Sequence, residues 1–194
     1  LLRHVTKLSY VVDENGMNLS YPVLATLIKY PCPSTEIKKN VLSKKKMGYF
    51  TSEEKIFDDV TKTLGLNHCR HPLAFLLEAA DDIAYLSADI EDAQQKGIVS
   101  LDYLISRLSE RKDDAIVQRV LDEITRYKKE AVLINHPSSD GYAIRRTRIL
   151  IKGLMIDAMY DSFKDLYPAI MSGNCEEELI AHSKVAILAD ILRD

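Results

Sequence analysis

The sequence lacks several features that would assign a protein class directly. Its three cysteines, Cys32, Cys69 and Cys175, form no C-x-x-C pair, which disfavours a disulfide framework or a structural zinc site. No uninterrupted apolar run approaches the length of about 18 residues that spans a bilayer, and no signal peptide is visible. The formal net charge of -3 provides no bulk field for nucleic acid or a membrane surface. We therefore expect a cytoplasmic protein whose function depends on local features.

Helical periodicity is present almost throughout the chain, in which 46% of the residues are hydrophobic. Capping residues and glycines predict helices within these segments: NLSYPVLATLIKY, SEEKIFDDVTKTLG, NHCRHPLAFLLEAADDIAYLSADIEDAQQKG, SLDYLISRLSE, DDAIVQRVLDEITRYKKEAVLI, YAIRRTRILIKGLMIDAMYDSFKDLY and EEELIAHSKVAILADILRD. Residues 36–50 read as a lysine-rich connector, and NHPSSDG reads as a loop. No internal repeat or strand pattern competes with this interpretation. The prediction is an all-α fold.

The first residues, LLRHVTKLSYVV, have helical spacing but no capping signal and no initiator methionine. We expect this segment to start inside a helix. We also expect the chain to be part of a larger polypeptide.

Residues 76–93, LLEAADDIAYLSADIEDA, carry six carboxylates and no basic residue. One side of the predicted helix, within an arc of about 80°, is acidic and holds Glu78, Asp81, Tyr85, Asp89 and Asp92. The opposite side is predicted to pack into the core through Leu76, Ala79, Ile83, Leu86 and Ile90. This acidic side is the first candidate for a functional surface.

A charged helix side is commonly only solvated, and that reading competes with a binding site. Aspartate is a weak helix former, yet Asp81 and Asp89 lie in mid-helix, where carboxylates one turn apart repel each other. The Tyr85 ring lies between them and could contact a sugar or a base. We interpret the combination as a site for a divalent metal or for ligand hydroxyl groups.

A metal site needs further ligands, and the chain contains neither a His-Asp dipeptide nor an H-E-x-x-H motif. The candidate imidazoles are His4, His68, His71, His136 and His182. His68 and His71 come just before the long helix, where a loop or capping role is an equal alternative. If Asp81 binds a metal, we expect most of its partner ligands to lie outside this chain.

Basic residues occur at two other helix ends. Lys29 and Tyr30 are predicted at the end of a helix, where the lysine could complement the helix dipole or bind phosphate. Arg145, Arg146 and Arg148 are predicted to open a helix, where they could bind an anion or pair with the acidic surface. Metal, hydroxyl and phosphate ligands together suggest a nucleotide.

Three segments, GMNLSYPVLATLIKYP, KKKMGYFTSEEKIF and RHPLAFLLEAADDIAYLSADIEDA, resemble the deoxyguanosinetriphosphate triphosphohydrolases of the HD superfamily. The resemblance is specific over residues 1–100. It implies a helical HD-domain-like architecture that is incomplete at the N-terminus. It also implies that residues 1–135 form the C-terminal part of the catalytic core, with residues 136–194 as a helical region packed on it.

The resemblance implies metal-dependent hydrolysis of a deoxynucleoside triphosphate to the deoxynucleoside and inorganic triphosphate. By the same matching, Asp81 binds the metal, with Asp82 the weaker choice. Tyr85 packs on the deoxyribose, Asp89 accepts a hydrogen bond from the 3′-hydroxyl, and Lys29 with Tyr30 contacts the triphosphate. Mg²⁺ or Mn²⁺ is favoured over Zn²⁺ or Fe²⁺. Implied partners are the dNTP substrate, further copies of the chain, and a regulatory dNTP or single-stranded DNA, but no membrane.

The sequence departs from the family pattern because the metal-binding His, the His-Asp pair and the catalytic His/Glu region are absent. We therefore assign no catalytic residue within this segment, and we expect it to be inactive alone. Two alternatives stay open: a non-catalytic module for nucleotide binding or oligomerisation, and an HD-type phosphohydrolase that acts on another nucleotide.

Overall fold

The computed structural model describes residues 17–193. Within this range the chain forms α-helices and short 3₁₀ turns without a strand, which confirms the all-α prediction. The helices are α1 (Tyr21–Leu27), α2 (Glu54–Thr63), α3 (Pro72–Gln95), α4 (Leu101–Ser109), α5 (Ala115–Leu133), α6 (Ser139–Met171), α7 (Leu179–His182) and α8 (Ala186–Arg193). No helix in the described range is long and apolar enough to cross a membrane. The helix predicted within residues 1–12, and His4 with it, lies outside the described residues.

Most helix limits follow the signals in the sequence. Ser20 is the N-cap of α1, and Ser100 is the N-cap of α4, where its hydroxyl accepts a hydrogen bond from the Tyr103 backbone N–H. Gly65 follows α2 and Gly97 follows α3 with φ of +67° and +69°, a left-handed conformation that glycine adopts without strain. The predicted connector, residues 36–50, contains only short 3₁₀ turns.

The predicted limits of α6 and of the last helix are wrong. α6 begins at Ser139, inside the segment predicted as a loop, and it continues through Pro168 to Met171. The last predicted helix is divided into α7 and α8 because Ser183 adopts an extended conformation. The Ser183 hydroxyl donates to the Ile180 carbonyl at 2.7 Å and accepts from the Val185 N–H at 3.3 Å, so the side chain takes over backbone groups that a continuous helix would use.

The described residues fall into two compact units. The first comprises residues 17–78 with Tyr167–Glu176, and in it α1 packs against α2. The second comprises Ala79–Leu166 with residues 177–193, and in it α4, α5 and α8 pack together. The core of the second unit includes fully buried side chains: Leu108, Val117, Val120, Ile124 and Leu188. Because α3 and α6 are long, each contributes residues to both units. The functional division at residue 135 remains a prediction.

The start of α5 provides a test of the second unit. Asp114 caps this helix by accepting hydrogen bonds from the backbone N–H groups of Ile116 and Val117 at 2.9 and 3.0 Å. We expect Asp114→Ala to lower the free energy of unfolding by about 0.5–2 kcal/mol, because two N–H groups lose their acceptor. The measurement is denaturant unfolding monitored by circular dichroism. The adjacent exposed Asp113→Ala is the matched control, and an equal effect of both substitutions would contradict the capping role.

Candidate functional site

The acidic side of α3 is exposed at four of the five predicted positions: Asp81, Tyr85, Asp89 and Asp92. The opposite side is buried at four of its five: Ala79, Ile83, Leu86 and Ile90. Two assignments are wrong. Glu78 is only 8% exposed, whereas Leu76 is 36% exposed. The acidic face therefore begins at Asp81, and Glu78 belongs to the interior of the first unit.

Glu78 is buried with two cations. Its Oε1 lies 2.5 Å from the Lys29 Nζ, and its Oε2 lies 2.5 Å from the Arg70 Nη2. The Arg70 side chain is 2% exposed and the Lys29 side chain 40%, so one cation is internal and the other reaches the surface. A carboxylate removed from water is costly unless it is paired and hydrogen-bonded, and both oxygens of Glu78 meet that condition. We call Lys29, Arg70 and Glu78 the charge triad.

The loop before α3 places Arg70 inside the first unit. Asn67 and His68 both have positive φ, a conformation that asparagine tolerates well and that turns the chain back sharply. The Arg70 guanidinium lies 4.2 Å from the centroid of the Phe75 ring, a cation–π geometry. Its Nε and Nη1 have no hydrogen-bond partner among residues 17–193. Arg70 therefore stabilises the buried Glu78 carboxylate mainly through its charge and one hydrogen bond.

A tight backbone approach fixes the segment that carries Lys29. α1 ends at Leu27, so Lys29 and Tyr30 follow the helix rather than complete its last turn. The Tyr30 carbonyl accepts from the Cys32 N–H at 2.8 Å, and the Cys32 carbonyl accepts from the Gly48 N–H at 3.0 Å. A Cβ at Gly48 would lie 1.7 Å from the Tyr30 carbonyl oxygen, so only glycine fits there. Tyr30 is buried at 9% exposure, and its ring centroid is 5.5 Å from the Lys29 Nζ.

The charge triad shifts the pKa values of two of its members. Burial raises the pKa of Glu78, but the hydrogen bonds and charges of Arg70 and Lys29 outweigh burial, so that its pKa falls below the usual value. Burial lowers the pKa of Lys29, but the hydrogen bond and charge of Glu78 outweigh it and raise the net value. Each shift favours the charged form.

Arginines on other helices supply positive charges to the acidic residues of α3, which has no basic residue of its own. In the second unit, Asp82 is 3.5 Å from the Arg193 guanidinium, and Glu91 is 2.7 Å from the Arg148 guanidinium. Within the described range no ion pair forms at Asp81 or Asp89. These two carboxylates therefore remain available on the exposed side of α3, as does Asp92.

The predicted arginine cluster does not open a helix, because α6 begins at Ser139, six residues before Arg145. Its three members have separate partners in the second unit. Arg145 bonds the His136 ring at 3.2 Å, Arg146 lies 5.1 Å from the Tyr127 ring centroid, and Arg148 pairs with Glu91. Of the three arginines, Arg148 is the one that pairs with a carboxylate of α3, as the alternative of pairing with the acidic helix expected.

Asp81 can supply one oxygen ligand to a divalent ion, but it does not lie within a complete donor set. Across residues 17–193, no three side chains of the His, Cys, Asp and Glu types come close enough to hold a metal. His71 instead accepts a hydrogen bond from the Leu73 backbone N–H at 3.2 Å at the start of α3, and burial lowers its pKa. His182 pairs with Glu177 at 2.9 Å.

A cavity of about 360 Å³ opens beside Asp89 in the second unit. Ile90, Val99 and Leu104 give it an apolar wall, and Asp89, Tyr103 and Arg107 are its polar groups. Ligand pockets are typically concave, apolar and provided with a few polar groups that fix orientation. No local sequence pattern indicates this cavity, because α3, α4 and α8 all contribute residues to it.

The charge triad provides a pH-dependent test of stability. We expect Glu78→Gln to lower the free energy of unfolding by about 3–5 kcal/mol at neutral pH, because Arg70 would stay buried without its carboxylate. Since the folded-state pKa of Glu78 is lowered, its contribution is present above the ordinary glutamate pKa of about 4.3 and is lost as the pH falls further. The difference between wild type and variant should therefore shrink in acid.

Denaturant unfolding of both proteins at neutral and acidic pH measures this difference. Glu36→Gln is the matched control, since Glu36 also pairs with a lysine, Lys44, at 2.6 Å, but on the surface. Little change is expected there. A Glu78→Gln effect that is equally small, or that grows in acid, would contradict the buried ion pair.

Comparison with known proteins relates this chain to one named group, although no protein-family model matches it. It is 34% identical over all 194 residues to a deoxyguanosinetriphosphate triphosphohydrolase-like protein of Listeria monocytogenes, and it covers 41% of that protein. It is 41% identical over 104 residues, 50% of this chain and 21% of the relative, to a probable deoxyguanosinetriphosphate triphosphohydrolase of Pseudomonas aeruginosa.

A deoxyguanosinetriphosphate triphosphohydrolase of Yersinia pestis is 26% identical over 178 residues, which are 88% of this chain and 35% of that enzyme. The chain thus spans less than half the length of the relatives that it matches. These similarities confirm the resemblance that its motifs indicated. The chain is homologous, along its whole length, to one segment of the deoxyguanosinetriphosphate triphosphohydrolase-like proteins.

Proposed function

We propose that this chain forms part of a metal-dependent triphosphohydrolase that cleaves a deoxynucleoside triphosphate into the deoxynucleoside and inorganic triphosphate. The main support is similarity over the whole chain to a deoxyguanosinetriphosphate triphosphohydrolase-like protein. A second support is the exposure of Asp81, Tyr85 and Asp89 at four-residue intervals on α3. Residues four positions apart on a helix lie about 6 Å apart along its axis. One helix side can therefore offer a metal ligand, a ring and a hydroxyl acceptor in sequence.

Each residue has a proposed role. Asp81 supplies a carboxylate ligand to a divalent ion, with Mg²⁺ or Mn²⁺ favoured. Tyr85, whose side chain is 64% exposed, packs on the deoxyribose, and Asp89 accepts the 3′-hydroxyl beside the cavity of about 360 Å³. Lys29 and Tyr30 contact the triphosphate, and the net positive charge of the charge triad supports the lysine in this role.

The proposal assigns only part of the enzyme to this chain. The remaining metal ligands and the groups that act on the attacking water would come from the part of the relatives' length that this chain does not span. The 194-residue chain alone should then bind metal weakly and turn over no substrate. Measurable dNTP hydrolysis by the purified chain would contradict this division.

The full-length natural protein that carries this sequence provides the direct test. With Mg²⁺ or Mn²⁺, we expect it to release deoxynucleoside and inorganic triphosphate from at least one dNTP, as separated by ion-exchange chromatography. Loss of a residue that only hydrogen-bonds to a metal ligand typically lowers metal affinity or activity about 10–100-fold. Asp81→Asn should lower kcat/KM by more than this, because it weakens a direct metal ligand.

Asp92→Asn is the matched control, since Asp92 is exposed on the same side of α3, 11 positions further along. Its activity should equal that of wild type. Full activity in Asp81→Asn would exclude the metal assignment. Nucleotide binding without any hydrolysis would instead favour the non-catalytic alternative.

A further inference from the structure

The charge triad has an asymmetric exposure that bears on anion binding. Arg70 and Glu78 are nearly inaccessible, with side-chain exposures of 2% and 7%, whereas Lys29 is 40% exposed. A lysine ammonium has three N–H donors, of which Glu78 takes one. Tyr30 is a further hydrogen-bond partner of Lys29, so one donor remains for a ligand that approaches from solvent.

The charge balance of the triad depends on the buried arginine. At neutral pH, two cations and one carboxylate leave a net charge of +1, and the exposed member that carries it is Lys29. Without Arg70, the lysine and the glutamate would form a neutral pair. The exposed pair of Lys184 and Asp161, 2.8 Å apart in the second unit, shows that simpler arrangement.

We infer that Arg70 is a positioning residue for the binding of a polyphosphate anion. Arg70 cancels the charge of Glu78, and Lys29 therefore keeps an uncancelled positive charge for the polyphosphate. The inference rests on the proposed role of Lys29 as a triphosphate contact. Arg70 is too deeply buried to touch the ligand itself. Its effect is electrostatic, and Coulomb interactions over a few ångströms are strong where water is partly excluded.

Binding of inorganic triphosphate to the 194-residue chain, without metal, tests the inference. Nuclear magnetic resonance of ¹³C-labelled lysine side chains follows Lys29 directly, with Lys184 as an internal control for a lysine in a neutral pair. In the wild-type chain, triphosphate should shift the Lys29 signals and leave those of Lys184 unchanged. Equal responses of the two lysines, or no response of Lys29, would overturn the inference without any substitution.

Two variants separate charge from structure. Arg70→Gln should lower the affinity for triphosphate about tenfold, because Glu78 then neutralises Lys29. The double variant Arg70→Gln with Glu78→Gln should recover most of the wild-type affinity, since Lys29 again carries an uncancelled charge. Thermal unfolding of both variants is also measured, and affinities are compared only at temperatures at which the chain is folded.

A double variant that binds as weakly as Arg70→Gln while folded would show that Arg70 acts only as a structural residue, and would overturn the inference. This outcome is distinct from failure of the proposed function. Absence of dNTP hydrolysis by the full-length protein leaves the triphosphate titration unaffected. If the full-length protein hydrolyses dNTPs normally but the double variant binds triphosphate no better than Arg70→Gln, only the inference about Arg70 fails.

Discussion

A buried carboxylate with a cation on each oxygen ties together three stretches of the first unit. Lys29 follows α1, Arg70 lies in the loop before α3, and Glu78 lies within α3. Because an unpaired charge in the interior is far more costly than a paired one, these stretches cannot separate independently. The positions of the Lys29–Tyr30 segment and of the start of α3 both depend on this interaction. It thus connects the stability of the unit to the geometry of its proposed anion contact.

Helix existence and most helix ends were predictable because the signals are local. Ser20, Gly65 and Gly97 act within one turn of the residues that they cap or terminate, so the sequence pattern contains them. The failures arose where a local signal was overridden. The predicted helix ends at Tyr167, yet α6 continues through Pro168 to Met171, whereas Ser183 divides a segment that the apolar spacing predicts as one helix.

The site was predictable only as far as one helix could be read in isolation. Spacing alone put Asp81, Tyr85 and Asp89 on one side, and all three are exposed. The same spacing included Glu78, because nothing in α3 shows that Lys29, 49 positions earlier, and Arg70 approach it. The cavity beside Asp89 escaped prediction for the same reason, since tertiary packing brings its walls together. Local periodicity thus predicts which side is acidic, and long-range pairing decides which acids remain available.

The pKa of the Glu78 carboxyl tests the buried ion pair most directly. It can be followed by a pH titration of the ¹³C side-chain carboxyl resonance, assigned with Glu78→Gln as reference. The geometry predicts a pKa below the ordinary glutamate value, because the Arg70 and Lys29 charges outweigh burial. A pKa at or above the ordinary value would mean that burial dominates, and would contradict the account of the charge triad.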